Sequence, residues 1–280
     1  MLDSATVRVL GRADEPEVMA LLARDPVANV FVASRLRSTG LEPTRTGGEV
    51  WGFHESGRLV SLCYSGANLV PVAASRAAVD AFAERALRQG RRCSSLVGPA
   101  GMVLPLWDLL RPHWGRAREV RATQPLMAID GPPAVLPDPA VRQVRPEEVD
   151  VLLPASVAMF TEEVGVSPLG DDGGALYRAR VAEIVRDGRA YARFDGGEVL
   201  FKAEIGAATP SACQVQGVWV RPERRGEGIS VGGMAAVVLL AQRHVAPVVS
   251  LYVNDYNLAA RAGYRRVGFR ETGTFASVLF

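Results

Sequence analysis

The run VWVRPERRGEGIS at positions 218–230 combines residue types and spacing that suit one chemistry, the holding of a diphosphate. The apolar strand Val218, Trp219, Val220 ends in a basic turn carrying Gly226 and Gly228. At Ile229 and Ser230 the turn opens into the apolar run from Val231 to Ala241, which reads as a helix. A turn of this kind leaves backbone N–H groups unpaired, with the positive end of a helix dipole behind them, and that is a cradle for phosphate oxygens. A side chain at either glycine would hold those oxygens away from the amides, and such turns often need positive φ. Arg224 and Arg225 add mobile positive charge beside the cradle. Alone, the loop is also compatible with an ordinary strand-to-helix turn.

A second constellation follows. After the apolar strand Val248 to Val253, the chain carries Asn257, Ala260, Tyr264, Gly268 and Phe269 in the pattern Asn-x-x-Ala-x-x-x-Tyr-x-x-x-Gly-Phe. The two constellations, in this order and spacing, resemble the GCN5-related N-acetyltransferase superfamily. The resemblance covers roughly residues 140–280 and is sharpest at the end.

The resemblance implies an N-acetyltransferase that moves an acetyl group from acetyl-coenzyme A to a primary amine of a small molecule, peptide or protein. Carried over residue by residue, the diphosphate sits on the amides of Gly226, Gly228 and Ser230, with Arg225 and Ile229 in the same loop. The pantetheine arm pairs with the edge of Val218, Trp219 and Val220 as an added strand, and Asn257 and Tyr264 lie beyond the thioester. Ser230 stands where the family has glycine or alanine. It still presents an N–H and is a natural helix N-cap. Trp219 reads equally as a wall of the pantetheine tunnel or as core. Tyr264, with a reference pKa of about 10, is the general acid for a leaving thiolate whose conjugate acid lies near about 8.5.

The base departs from the family pattern. The position that often holds glutamate falls at Gln214, which cannot accept a proton, and Gln216 is no better. Glu204 is the first substitute, although Lys202 shares its face and reads as a partner in an ordinary surface pair. The terminal carboxylate of Phe280 is the second, because some members of the superfamily end their last strand in the active site. Freeing a lysine-like amine at pH 7 costs about 4.6 kcal/mol and an α-amine about 1, so the absence of an obvious strong base leans toward amines of low pKa. The resemblance places the acceptor at the loop from Phe160 to Pro168, where Phe160, Glu162 and Glu163 supply an aromatic ring and two acids for a cationic amine, while the two acids read also as solvated residues beside a helix end. Asp171 and Asp172 read as loop formers.

The elements that must position these residues are those of a mixed α/β fold with two similar domains. At 280 residues the chain exceeds an ordinary single domain. Four prolines between Gly131 and Ala140 block helix and ladder alike, giving residues 1–130, a linker at 131–140 and a catalytic domain at 141–280. In the second part the sequence predicts a strand at Val141 to Val144, helices through Phe160 and over Gly173 to Asp187, and a hairpin about Gly196 and Gly197. Strands at Ser211 to Val220 and Gly273 to Phe280 complete the series. The first part repeats the order from Ala5 to Ile129 without the glycines or the arginine pair after its fourth strand, so it reads as a degenerate duplicate. Each domain is expected to be a mostly antiparallel mixed sheet flanked by helices.

Composition removes other classes. A net charge of +2 and 22% charged residues do not describe a nucleic-acid-binding surface. Cys63, Cys93 and Cys213 are widely spaced in apolar runs and suggest packed reduced thiols. No metal spacing involves them or the three histidines, and no metal is expected. No signal-like segment opens the chain, and the longest apolar run falls short of the ~20 residues of a membrane span, so a cytoplasmic protein is expected, as monomer or homodimer. A Rossmann reading fails because the glycine loop follows a hairpin late in its domain. The competing reading is a non-catalytic acyl-coenzyme A sensor that kept the cradle and lost the base.

Overall fold

A computed structural model describes residues 6–170 and 173–280. Ala5, at the expected start of the first strand, and the expected loop formers Asp171 and Asp172 lie outside them. The chain forms two compact units, and the division does not follow a cut at the linker. The first takes the residues up to Met127 together with 252–256 and 271–280, and the second takes 128–251 and 257–270.

The first unit contains β1 (Thr6–Val9), α1 (Glu15–Leu22), α2 (Val30–Thr39), α3 (Pro43–Thr46), β2 (Glu49–Glu55), β3 (Arg58–Ser65), β4 (Asn68–Val72), α4 (Arg76–Gln89), β5 (Ser95–Pro99), α5 (Ala100–Trp114) and β6 (Glu119–Ile129). Helix α4 shows how local sequence sets these elements. Ser75 caps it by accepting the Ala78 N–H, and Ala78, Val79, Phe82, Ala83 and Ala86 recur at helical spacing to bury one face.

The second unit contains β7 (Arg142–Gln143), α6 (Val149–Val164), α7 (Ala175–Arg186), β8 (Ala190–Asp195), β9 (Glu198–Ala208), β10 (Ala212–Val220), α8 (Ile229–His244), β11 (Val248–Tyr252) and α9 (Leu258–Val267). The turn between β8 and β9 uses Gly196 and Gly197 at φ of 59° and 83°, the paired left-handed residues that a tight hairpin favours. Strand order here is β7-β8-β9-β10-β11, antiparallel except for the parallel pair β10 and β11.

The last strand, β12 (Arg270–Leu279), is the reason for the altered division. It pairs antiparallel with β5, Phe275 opposite Pro99 through Leu279 opposite Ser95, and gives the first unit the order β1-β2-β3-β4-β5-β12-β6. Ala276 and Val278 are buried in the same core as Phe53, Phe82, Leu106 and Trp107. Residues 252–256 join this unit because Val253 and Asp255 donate backbone N–H groups to the Pro125 and Thr123 carbonyls.

The proline-rich segment is tied down along its length within the second unit. Ala134 and Asp138 donate N–H groups to the Val267 and Gly232 carbonyls, Gln242 donates to the Gly131 carbonyl, and Arg193 pairs with Asp138 at 2.8 Å. Each unit is a mixed, mostly antiparallel sheet flanked by helices, an α/β arrangement.

Candidate active site

Strand β10 carries the geometry on which the site is built. Its register with β11 runs only from Ala212 opposite Val248 to Gln214 opposite Ser250, while its register with β9 continues to Val220 opposite Phe201. Among the described residues, the last stretch of the strand therefore has one partnered edge and one edge without a strand. The Arg221 N–H is spent on the Leu200 carbonyl across the pair. By antiparallel alternation, Val220 then turns its N–H and C=O toward the open edge.

A β-bulge interrupts the pair, since Gln216 faces Glu204 and Trp219 faces Lys202, leaving Gly217 and Val218 against Ala203 alone. Gly217 sits in it at φ 60°. A Cβ there would meet Met159 Cε at 3.0 Å and both Glu204 Cδ and Lys202 Nζ at 3.2 Å, so glycine is required for backbone conformation and for space.

Beyond β10, Pro222–Arg224 form a single tight turn, and Gly226 and Gly228 follow at φ of 84° and 78°. An ideal Cβ at either glycine meets nothing within 4 Å. Among the described residues no hydrogen bond uses the N–H groups of Gly226, Gly228, Ile229 or Ser230. Gly228 takes the cap position of α8, and Ser230, expected as a cap, is already the second residue of the helix. Donors, left-handed glycines and open space coincide at the start of a 16-residue helix, and this fits a diphosphate.

The basic side chains of the loop are already partnered. Arg224 bonds both oxygens of Glu227 at 2.9 and 3.0 Å. Arg225 donates through Nε to the Val220 carbonyl at 3.0 Å and through a terminal nitrogen to Glu162 at 2.7 Å. The other Glu162 oxygen accepts the Trp219 indole N–H at 3.2 Å. Glu162 and Glu163 belong to the last turn of α6, because that helix continues to Val164 and ends only where Gly165 supplies a left-handed cap. Phe160, on the same helix, meets Tyr177 edge to face at 5.5 Å.

Lys202 and Glu204 correct the expectation of a surface pair. Lys202 is 0% exposed and Glu204 8%, because side chains alternating on β9 face the helices on that side of the sheet. Glu204 accepts from Lys202 Nζ at 3.3 Å and from Gln216 Nε2 at 2.9 Å. Lys202 and the Gly217 bulge were not singled out as site residues. The signals that point to them are a lone lysine in an arginine-rich chain and a glycine inside a strand. Gln214 is buried at the end of the β10–β11 register.

Tyr264 lies buried on α9 with its ring against Phe269 at 5.9 Å. Burial, reinforced by the Glu163 charge, pushes its hydroxyl above the ordinary tyrosine range. Tyr177 is raised to about 12 by burial and by the charges of Glu204 and Glu163. The side-chain oxygen of Asn257 caps α9 by accepting the Ala260 N–H at 3.1 Å. Phe280 is the expected site residue that falls outside this unit. Its ring packs against Trp107 and Trp114 under Arg91, and its N–H donates to the Ser94 carbonyl. The pairing of β12 with β5 carries its terminal carboxylate to that position.

The corresponding turn of the first unit, after β4, is closed internally. The Ala74 N–H donates to the Met102 sulfur at 3.3 Å, Ser75 caps α4, and Ala73 sits at φ 49° without being glycine.

Comparison with known proteins agrees with the architecture. Over 99% of this chain and 99% of the other, it superposes on a Drosophila protein with a TM-score of 0.65 at 14% identity. A tandem GNAT protein from the clavulanic acid biosynthesis pathway gives 0.55 at 16% identity over 99% and 98%. A GNAT-family acetyltransferase from Colwellia psychrerythraea gives 0.56 at 11% identity over 98% and 99%. The fold is the tandem acetyltransferase fold. In sequence, the family described as a domain of unknown function, DUF4081, matches residues 48–152. No curated protein matches the chain.

Proposed function

We propose that the second unit transfers an acetyl group from acetyl-coenzyme A to a primary amine, and that the first unit is a degenerate copy retained for structure. The observation that carries this reading is the continuity of the open edge of β10 with the unpaired amides at the start of α8. An extended pantetheine and a diphosphate need those two features in that order.

In this reading, Gly226, Gly228 and Ser230 hold the diphosphate through their N–H groups, with Ile229 in the same first turn. The edge at Val218 to Val220 holds the pantetheine amides. The bound thioester supplies the activated acyl group. Glu204 takes a proton from the incoming ammonium, directly or through water, and Lys202 and Gln216 fix the direction of its two oxygens. Tyr264 donates a proton to the departing sulfur, and its buried environment keeps it protonated at neutral pH. Phe160, Glu162 and Glu163 flank the acceptor. Asn257 contributes by setting the start of the helix that bears Tyr264.

A second reading is a non-catalytic sensor of acyl-coenzyme A. It is favoured by the commitment of Glu204 to Lys202 and by Gln214 at the position where the family often has an acid.

Thiol release from acetyl-coenzyme A, measured against α-amine peptides, lysine peptides, polyamines and aminoglycosides, separates the two. A catalyst shows amine-dependent release that Tyr264→Phe lowers by about 10²-fold or more. Because the native hydroxyl is raised, the wild-type rate shows no Tyr264-dependent fall up to about pH 10. Binding without turnover on every amine would favour the sensor.

A further inference from the structure

Arg225 lies where the proposed donor would have to make its contacts. Its Nε fills the Val220 carbonyl on the open edge of β10, an acceptor that a pantetheine amide would use, and its guanidinium is turned toward Glu162. Glu162 in turn bridges to the Trp219 indole on the same strand. One carboxylate from the end of α6 thus ties down both the strand edge and an arginine of the phosphate loop. Arg224 is neutralised separately by Glu227 and by Asp195 at 3.4 Å, so it does not compete for Glu162.

We infer that Glu162 sets donor affinity by acting as an internal counter-ion: it holds Arg225 at the open edge of β10 and must release it when a diphosphate takes the guanidinium. The inference rests on the donor reading proposed above and adds to it a specificity-determining residue. Exchange of one anion for another on Arg225 is undemanding here, because the two side chains are 47% and 45% exposed and such pairs are weak. A doubly anionic diphosphate brings more charge to the guanidinium than one carboxylate and can engage it through two oxygens. Release of Arg225 also returns the Val220 carbonyl to the pantetheine arm, so diphosphate and arm are bound in one step.

The test is calorimetric titration of coenzyme A into the wild-type full chain and Glu162→Gln. The glutamine oxygen can still accept the Trp219 N–H, while its NH2 replaces the oxygen that faces Arg225 and removes both the charge and that acceptor. Binding is expected to tighten by about 2- to 5-fold in Glu162→Gln. The Trp219 indole N–H resonance, assigned with Trp219→Phe, is expected to move when coenzyme A saturates the wild type.

Unchanged or weaker binding in Glu162→Gln beside normal wild-type binding would overturn the inference and leave the donor reading standing, as would an indole signal that stays fixed. Binding by Glu162→Gln alone would support a latch tighter than inferred. No binding by either form would overturn both readings. Because Glu162 is exposed at a helix end, both proteins should melt alike, and that comparison checks that any difference in binding is local.

Discussion

Lys202 is the residue whose placement says most about local energetics. A chain that uses arginine almost everywhere keeps its one lysine fully buried against a glycine bulge, with Glu204 as ion-pair partner. Lys202→Met should cost about 3–5 kcal/mol, because it strands a carboxylate that is 8% exposed. Adding Glu204→Leu should recover most of that loss, since a matched apolar pair avoids the desolvation of both charges. Urea denaturation of the two variants measures this. A double variant no more stable than the single one would mean that the bulge, rather than the charges, needs the pair. The sequence reading had Lys202 and Glu204 together on one face, which is correct, and had that face in water, which is not. Alternation along β9 fixes which side chains share a face, but the helices that cover the face lie far away in sequence.

At the scale of elements, glycine position decides what the β10–α8 connection can do. Gly228 stands at φ 78° with open space around its missing side chain. Gly228→Ala should therefore cost only about 1 kcal/mol of strain and lower Tm by a few degrees. Coenzyme A affinity should fall by 10-fold or more, because the new methyl group would occupy the phosphate path. Calorimetry beside thermal melts separates the two effects. Equal affinity with a lowered Tm would remove the loop from the donor site. This connection, the β8–β9 hairpin and α9 were legible because glycine and apolar periodicity mark their ends. Other elements were not. Helix α5 extends from Ala100 to Trp114, longer than the short helix expected around Leu104 to Leu110, and carries Pro105 and Pro112 inside it, residues that obscure a helix of that length. Helix α2 carries arginine, serine and threonine through its last two turns and has little apolar stripe to announce it. The last turn of α6 read as loop from its resemblance to the family's acceptor-binding loop, although Phe160 to Val164 carry no breaker of their own. Gly165 is the stop.

For the whole molecule, the fate of β12 sets what a domain means here. Residues 273–280 were legible as a strand, but nothing in their composition says which neighbour they take, because backbone pairing is indifferent to order along the chain. The structure gives them to β5, so the last strand completes the first unit. A fragment of residues 1–130 then lacks Ala276 and Val278 from its core and the Phe280 ring that packs on Trp107 and Trp114. It also leaves one side of β5 as an unpaired edge, which invites association. The fragment should show no cooperative urea transition and should aggregate. The full chain cut by a protease at a site inserted beside the exposed Leu136 should stay together on size exclusion, since the second piece carries the strand that finishes the first unit. A fragment that unfolds cooperatively on its own, or pieces that separate after cleavage, would show that β12 is dispensable to the first unit. The first unit would then be a domain that merely precedes the second, and the duplication would be the only relation between them.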